Sequence, residues 1–101
     1  MLVELSMFPV NGHIHLSGEI SEVLKIVDES KLPYRFTPTS TCIEGEWDDV
    51  MGLVRRCHAR MRQTAPHVIT FIKIEDDEGD PNKLEHNIKS VEEKVGHPLR
   101  K

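Results

Sequence analysis

The chain has 101 residues, of which 38% are hydrophobic and 30% charged, and its formal net charge is −4. That length suits one domain spanning residues 1–101 and is short for two, and no tract is biased enough to stay disordered. The acidic balance argues against nucleic acid as a partner, because duplex binding rests on Lys and Arg neutralising phosphates.

Arg55, Arg56, Arg60 and Arg62 do cluster. They fall in the second half of an expected helix, where cations complement the helix dipole, and they form a solvated face there. Cys42 and Cys57 are the only cysteines and neither has a CxxC partner, so no disulfide framework is expected. The first nine residues lack the basic and apolar regions of a secretory segment and are too short to span a membrane. A cytoplasmic location and no membrane partner are expected.

Residues 2–8 alternate, with Val3, Leu5 and Met7 on one face and Glu4 and Ser6 on the other, which predicts a strand with one buried face. Pro9 ends it. Asn11-Gly12 is a turn signal. Ser17 is the expected N-cap of a helix carrying Ile20, Val23, Leu24 and Val27 at helical spacing, which stops near Ser30 ahead of Leu32-Pro33. Residues 34–39 are aromatic and β-branched and predict a second strand, at a sheet edge or bent because of Pro38. Residues 40–44 predict a third strand, broken by Gly45.

A second helix follows, with Glu46, Asp48 and Asp49 in its first turn and an apolar stripe of Trp47, Val50, Val54, Cys57 and Met61. Ala65-Pro66 closes it. Residues 68–74 predict a fourth strand and residues 75–81 an acidic loop. Asp80-Pro81 resembles a cap followed by a first-turn proline, ahead of a last helix with Leu84, Ile88, Val91 and Val95 on one side and Gly96 at its end. The order βαββαβ plus a terminal helix predicts an α+β, ferredoxin-like sandwich in which both main helices cover one sheet face and the other is left open.

Several segments then resemble one family. Residues 1–9 are similar to the opening strand of the thiamine-binding protein family. Thr41-Cys42-Ile43-Glu44-Gly45-Glu46-Trp47-Asp48-Asp49-Val50-Met51 resembles its most distinctive motif, T-x-I-E-G-x-W-D-x-V-M. Ile72-Lys73-Ile74 and Lys89-Ser90-Val91-Glu92 resemble its last strand and terminal helix. The resemblance implies a ferredoxin-like fold, dimers or tetramers assembled through the sheets, and binding of thiamine or its pyrimidine precursor by some members of a family with no established catalytic activity. Two departures stand out. Thr39-Ser40 replaces a frequent Met-Gly and changes the hairpin lining, and Asp76-Asp77-Glu78 replaces a frequent arginine and reverses the local charge.

Glu44 is the leading candidate for ligand binding. A carboxylate at a strand end can accept from an aminopyrimidine N–H and share a proton with a ring nitrogen. Its alternative role, with Glu46, is to cap the second helix. Ser6, Thr37, Thr39 and Thr41 offer hydroxyls on adjacent strands that can fix a small polar ring, or simply reflect strand propensity. Strict alternation puts Thr41 and Glu44 on opposite faces of a straight strand. Trp47 can stack on a heteroaromatic ring or fill the core.

His13-x-His15 lies in a turn without further ligands at metal spacing, so no metal is expected. No phosphate loop, nucleophile elbow or dinucleotide fingerprint appears; no cofactor is expected and no catalytic residue is assigned. The leading function, which the resemblance implies and the motif around Glu44 motivates, is binding of thiamine or hydroxymethylpyrimidine as a carrier, buffer or sensor. The alternatives are a structural or regulatory oligomer that binds a protein through the open sheet face, and a pyrimidine-acting enzyme using Glu44. A homodimer or homotetramer is expected from that open face, from short β-rich sheet edges, and from a terminal helix whose apolar stripe needs a surface.

Overall fold

A computed structural model describes residues 1–101. The elements run β1 (Leu2–Pro9), α1 (Ser17–Glu29), β2 (Tyr34–Phe36), β3 (Thr41–Glu44), α2 (Trp47–Arg62), β4 (Val68–Glu75) and α3 (Lys83–Val95). The strands form one antiparallel sheet in the order β2-β3-β1-β4, which is the ferredoxin-like arrangement.

The period-two pattern of β1 sets the two faces of this sheet. Val3, Leu5 and Met7 are buried, and their partners across β3 are Ile43 opposite Val3 and Thr41 opposite Leu5. These residues point toward α1 and α2. Glu4 pairs with Cys42, and Cys42 with Arg35, so those three share the opposite face. The core lies between the first face and the two helices. Its fully buried side chains are Val3, Val27, Ile43, Val50, Leu53 and Cys57.

Helix α2 carries Asp48 and Asp49 in its first turn and Arg60 and Arg62 in its last, both favourable to the macrodipole. Arg60 also reaches Glu22 of α1 at 3.5 Å. Gly45, just before this helix, is needed for close approach. A Cβ there would meet Val50 Cγ2 at 3.2 Å and Leu32 Cδ2 at 3.3 Å, and its N–H donates to the Met1 carbonyl oxygen at 3.1 Å.

Several local expectations are corrected. Strand β2 ends at Phe36, not Thr39, because residues 37–40 form a turn held by the Thr37 side chain. Leu16, not Ser17, occupies the N-cap position of α1, and no side chain caps that end. Glu46 precedes α2 instead of lying in its first turn. The α2 core stripe includes Leu53 and excludes Trp47, which is 54% exposed. Helix α3 starts at Lys83 with Asn82 at its N-cap, while Asp80 accepts the Asn82 N–H and contacts His86 Nδ1. Only one sheet edge is short, since β4 has eight residues.

Helix α3 crosses the face opposite α1 and α2, above β3 and β2. Polar contacts fix it there: Arg35 meets Glu85 at 3.4 Å, and Lys83 meets Asp77 at 2.8 Å. None of its residues is buried. The rest of that face stays open. Phe8 and Phe71 stack on it with ring centroids 6.3 Å apart, and Phe71 is 63% exposed. On the helix side of the β4 edge, Ile72 and Ile74 extend past the cover of α2 and are also exposed. No helix is long and apolar enough to cross a membrane.

Candidate functional site

A cavity lined mostly by apolar residues lies at the end of the sheet where β1 finishes, between the start of α1 and the β2–β3 turn. Its volume is about 270 Å³. One wall is apolar, built from Leu16, Ile20, Val23 and Leu24 of the α1 segment and from Leu5 and Met7 of β1. The other side carries Phe36, Pro38 and four hydroxyl residues, Ser6, Thr39, Ser40 and Thr41. No charged side chain lines it.

The turn explains why hydroxyls gather here. The Thr37 N–H donates to the Ser40 carbonyl oxygen at 2.8 Å. Thr37 Oγ1 accepts the Ser40 N–H at 3.0 Å and donates to the Ser40 carbonyl oxygen at 2.9 Å. This local closure competes with the strand ladder and ends β2 early. Ser40 Oγ donates to Glu4 Oε2 at 3.3 Å. Ser6, Thr39 and Thr41 take no part in that knot. Thr41 is only 5% exposed and lines the cavity from the core side, while Phe36 is 59% exposed and offers ring surface at its mouth.

Of the six predicted binding residues, the structure brings Ser6, Thr39 and Thr41 together around this cavity. Thr37 holds the turn and lines a neighbouring groove instead. Glu44 does not line the cavity. It pairs with Leu2 at the other end of the sheet, about 10 Å along β3 from Thr41 at 3.3 Å per residue, and on the opposite face. There it is 7% exposed, and its Oε2 accepts the Leu84 N–H at 3.2 Å. The N-cap residue of α3, Asn82, makes no side-chain capping bond. Glu44 thus caps α3 from a strand forty positions earlier in the chain, not α2. Trp47 lies in the first turn of α2 and does not line the cavity.

Sequence reasoning missed Phe36, Ser40 and the apolar wall. The available signal was Leu16 and Ile20, which extend the α1 stripe one turn ahead of the buried positions Val23 and Val27.

The remaining reactive groups lie elsewhere. Burial pushes the Cys57 thiol up to about 11, and Cys42 is raised by burial and then by nearby Glu4. Both are therefore weak nucleophiles at neutral pH. His13 lies 4.0 Å from Glu19, and no group of three or more His, Cys, Asp or Glu gathers within reach of one metal ion.

Comparison with known proteins places this arrangement in a family. The chain is 30% identical over 96 residues to UPF0045 protein YqgV of Bacillus subtilis, covering 89% of this chain and 92% of that one. It is 25% identical over 93 residues to UPF0045 protein sll0230 of Synechocystis, covering 91% and 77%. The crystal structure of hypothetical protein MJ1052 from Methanocaldococcus jannaschii superposes with a TM-score of 0.84 at 18% identity, covering 91% and 95%. A Thermotoga maritima protein assigned provisionally to thiamine biosynthesis or salvage superposes with a TM-score of 0.73 at 21% identity, covering 94% of both chains. The sequence pattern of the thiamine-binding proteins matches residues 3–92, and the chain belongs to the thiamine-binding protein family.

Proposed function

We propose that this chain binds thiamine, or its hydroxymethylpyrimidine precursor, in the cavity between α1 and the β2–β3 turn, and serves as a cytoplasmic carrier, buffer or sensor. The observation that carries this reading is the cavity itself. Its lining combines an apolar wall with the hydroxyl-bearing residues Ser6, Thr39 and Thr41 and with Phe36. An aminopyrimidine needs apolar faces around its ring and a few hydrogen-bonding groups at its edge. The cationic thiazolium half of thiamine can lie against the Phe36 ring face. An uncharged lining suits binding better than turnover, which calls for a titratable group beside the reacting atoms. Membership of the thiamine-binding protein family supports the ligand class.

Calorimetry and thermal shift with thiamine and hydroxymethylpyrimidine test the reading. Saturable heat with a rise in melting temperature is expected, and silence at millimolar ligand refutes it. The open sheet face favours a second element of the reading, self-association. Phe71 is exposed beside the half-buried Phe8 and Ile69, and a second copy would cover this patch. In sedimentation equilibrium the wild type should then exceed monomer mass, and Phe71→Asp should lower it. A monomer at all concentrations refutes that element and leaves the ligand question untouched.

A further inference from the structure

A second concavity adjoins the cavity around the edge of the sheet. It lies between β2, helix α3 and the segment after α3, and has a volume of about 870 Å³. Phe36 and Pro38 line both spaces, so the two adjoin at these residues. Their chemistry differs sharply. The cavity has no charged side chain, whereas the groove presents Arg35, Arg100 and Lys101 beside the apolar surfaces of Val91 and Leu99. This is a cationic site on a chain of net charge −4.

The local carboxylates neutralise it only in part, leaving Arg100 without a partner. Glu85 holds Arg35 at 3.4 Å, and Glu92 holds Lys101 at 3.0 Å. Glu92 is also occupied by the Leu99 N–H at 2.6 Å, which, with the Lys101 ammonium, holds its carboxyl below the usual carboxylate range. Arg100 enters none of these pairs. A guanidinium left without a carboxylate, next to an exposed Arg35, is a pairing site for a phosphate group.

We infer that the groove is a phosphate-ester subsite continuous with the ring cavity, so that the chain takes a phosphorylated heteroaromatic ligand in preference to the free alcohol. This rests on the proposed ring cavity and names the ligand class it takes. The ring occupies the uncharged space, the ligand passes Phe36 and Pro38, and its phosphate meets Arg100 and Arg35.

Calorimetry at low ionic strength with thiamine, thiamine monophosphate and inorganic phosphate decides it. The ester should bind at least about tenfold more tightly than thiamine, as expected for charge-assisted pairing. Inorganic phosphate should compete with the ester and not with thiamine. Raising the salt to 1 M should shrink the advantage, since exposed charges are screened within about 3 Å there. Arg35→Gln combined with Arg100→Gln should abolish it while leaving thiamine affinity in place. Because Arg35 also holds α3 through Glu85, Arg100→Gln alone is the control, and it should remove part of the advantage with the Arg35–Glu85 contact intact. Thiamine binding with no ester advantage, or an advantage that survives the double substitution, overturns the subsite and leaves the ring cavity standing. Binding of neither compound overturns both.

Discussion

Replacing Glu44 separates its two candidate roles. In the structure Glu44 is the side chain that meets the start of α3, accepting the Leu84 N–H where Asn82 supplies no cap. Glu44→Ala removes a capping bond worth about 1 kcal/mol and a charge at a helix N-terminus worth about 0.3–1 kcal/mol, so a loss of about 1–2 kcal/mol is expected. With a urea slope near about 1.5 kcal/mol/M for a chain of this size, the midpoint should fall by about 1 M. Glu44→Gln keeps a carbonyl oxygen as acceptor and loses only the charge, so its drop should be about half as large or less. Hydrogen exchange at Leu84 should accelerate in both variants while amides of β1 stay protected. Thiamine affinity should stay within about twofold of wild type, because loss of a ligand hydrogen bond to a charged group would cost about 1.5–3 kcal/mol and Glu44 lies at the other end of the sheet and does not line the cavity. Unchanged stability with unchanged Leu84 exchange would falsify the capping role. A large loss of thiamine affinity in a folded Glu44→Gln protein would place the ligand at Glu44 instead.

Three other outcomes are expected. Thr41→Val, nearly isosteric, should leave the melting temperature close to wild type and weaken thiamine by roughly fivefold to tenfold through one lost hydrogen bond of about 1 kcal/mol, read by calorimetry. Gly45→Ala puts a methyl against Val50 and Leu32 at 3.2–3.3 Å, and urea unfolding should show a loss of about 1–2 kcal/mol from overpacking. The third concerns pH. The Lys83 bond, the Gly79 N–H and the ammonium charge hold the Asp77 carboxyl below its ordinary value of 3.8; the Asn82 N–H does so for Asp80, with smaller help from His86 and Lys83. A depressed folded value means these carboxylates stabilise the α3 start above pH 3.8 and lose that contribution as pH falls through the folded values. Lys83, raised by Asp77, contributes below 10.5 and loses its share as pH rises through its folded value. Amide protection around residues 76–84, taken relative to the intrinsic exchange rate at each pH, should therefore fall below pH 3.8 while the β1–β3 ladder holds, and Asp77→Asn should weaken that acid response. Protection that is flat down to pH 2 would contradict the assignment.

The architecture was legible because its signals are local and periodic. The alternation in β1 identified the buried face, and the acidic start and basic end of α2 identified its direction. What was illegible depends on contacts between distant residues. Helical spacing gives Trp47 an angle beside Val50 and Val54 but does not say how far the sheet extends under the first turn, and Trp47 remains outside. The apolar stripe of α3 predicted a helix but not that polar contacts would hold it with no residue buried. Glu44 ends a strand beside Gly45, which suggests a role for the adjacent helix; its bond to Leu84 crosses forty positions and has no sequence signature. The hydroxyl cluster was half legible. Alternation placed Thr41 away from Glu44, but only the Thr37 turn shows which hydroxyls are already engaged.

The placement of β1 makes the sheet depend on pairings between distant parts of the chain. The first strand of the chain is central in the sheet, and both its neighbours come later: Leu2 pairs with Glu44 on one side and Glu75 on the other. Only the β2–β3 hairpin closes locally. Until residues 68–75 are present, one side of β1 has no strand to pair with. The sheet completes only after residue 75 has been made. Pairings this far apart in sequence must overcome loop-closure entropy before they are rewarded, which puts folding on the slower side for a domain of this length. A chain truncated ahead of Val68 keeps every buried core residue in its sequence yet leaves one whole edge of β1 unpaired, and such a fragment should bind other unpaired strands before it folds.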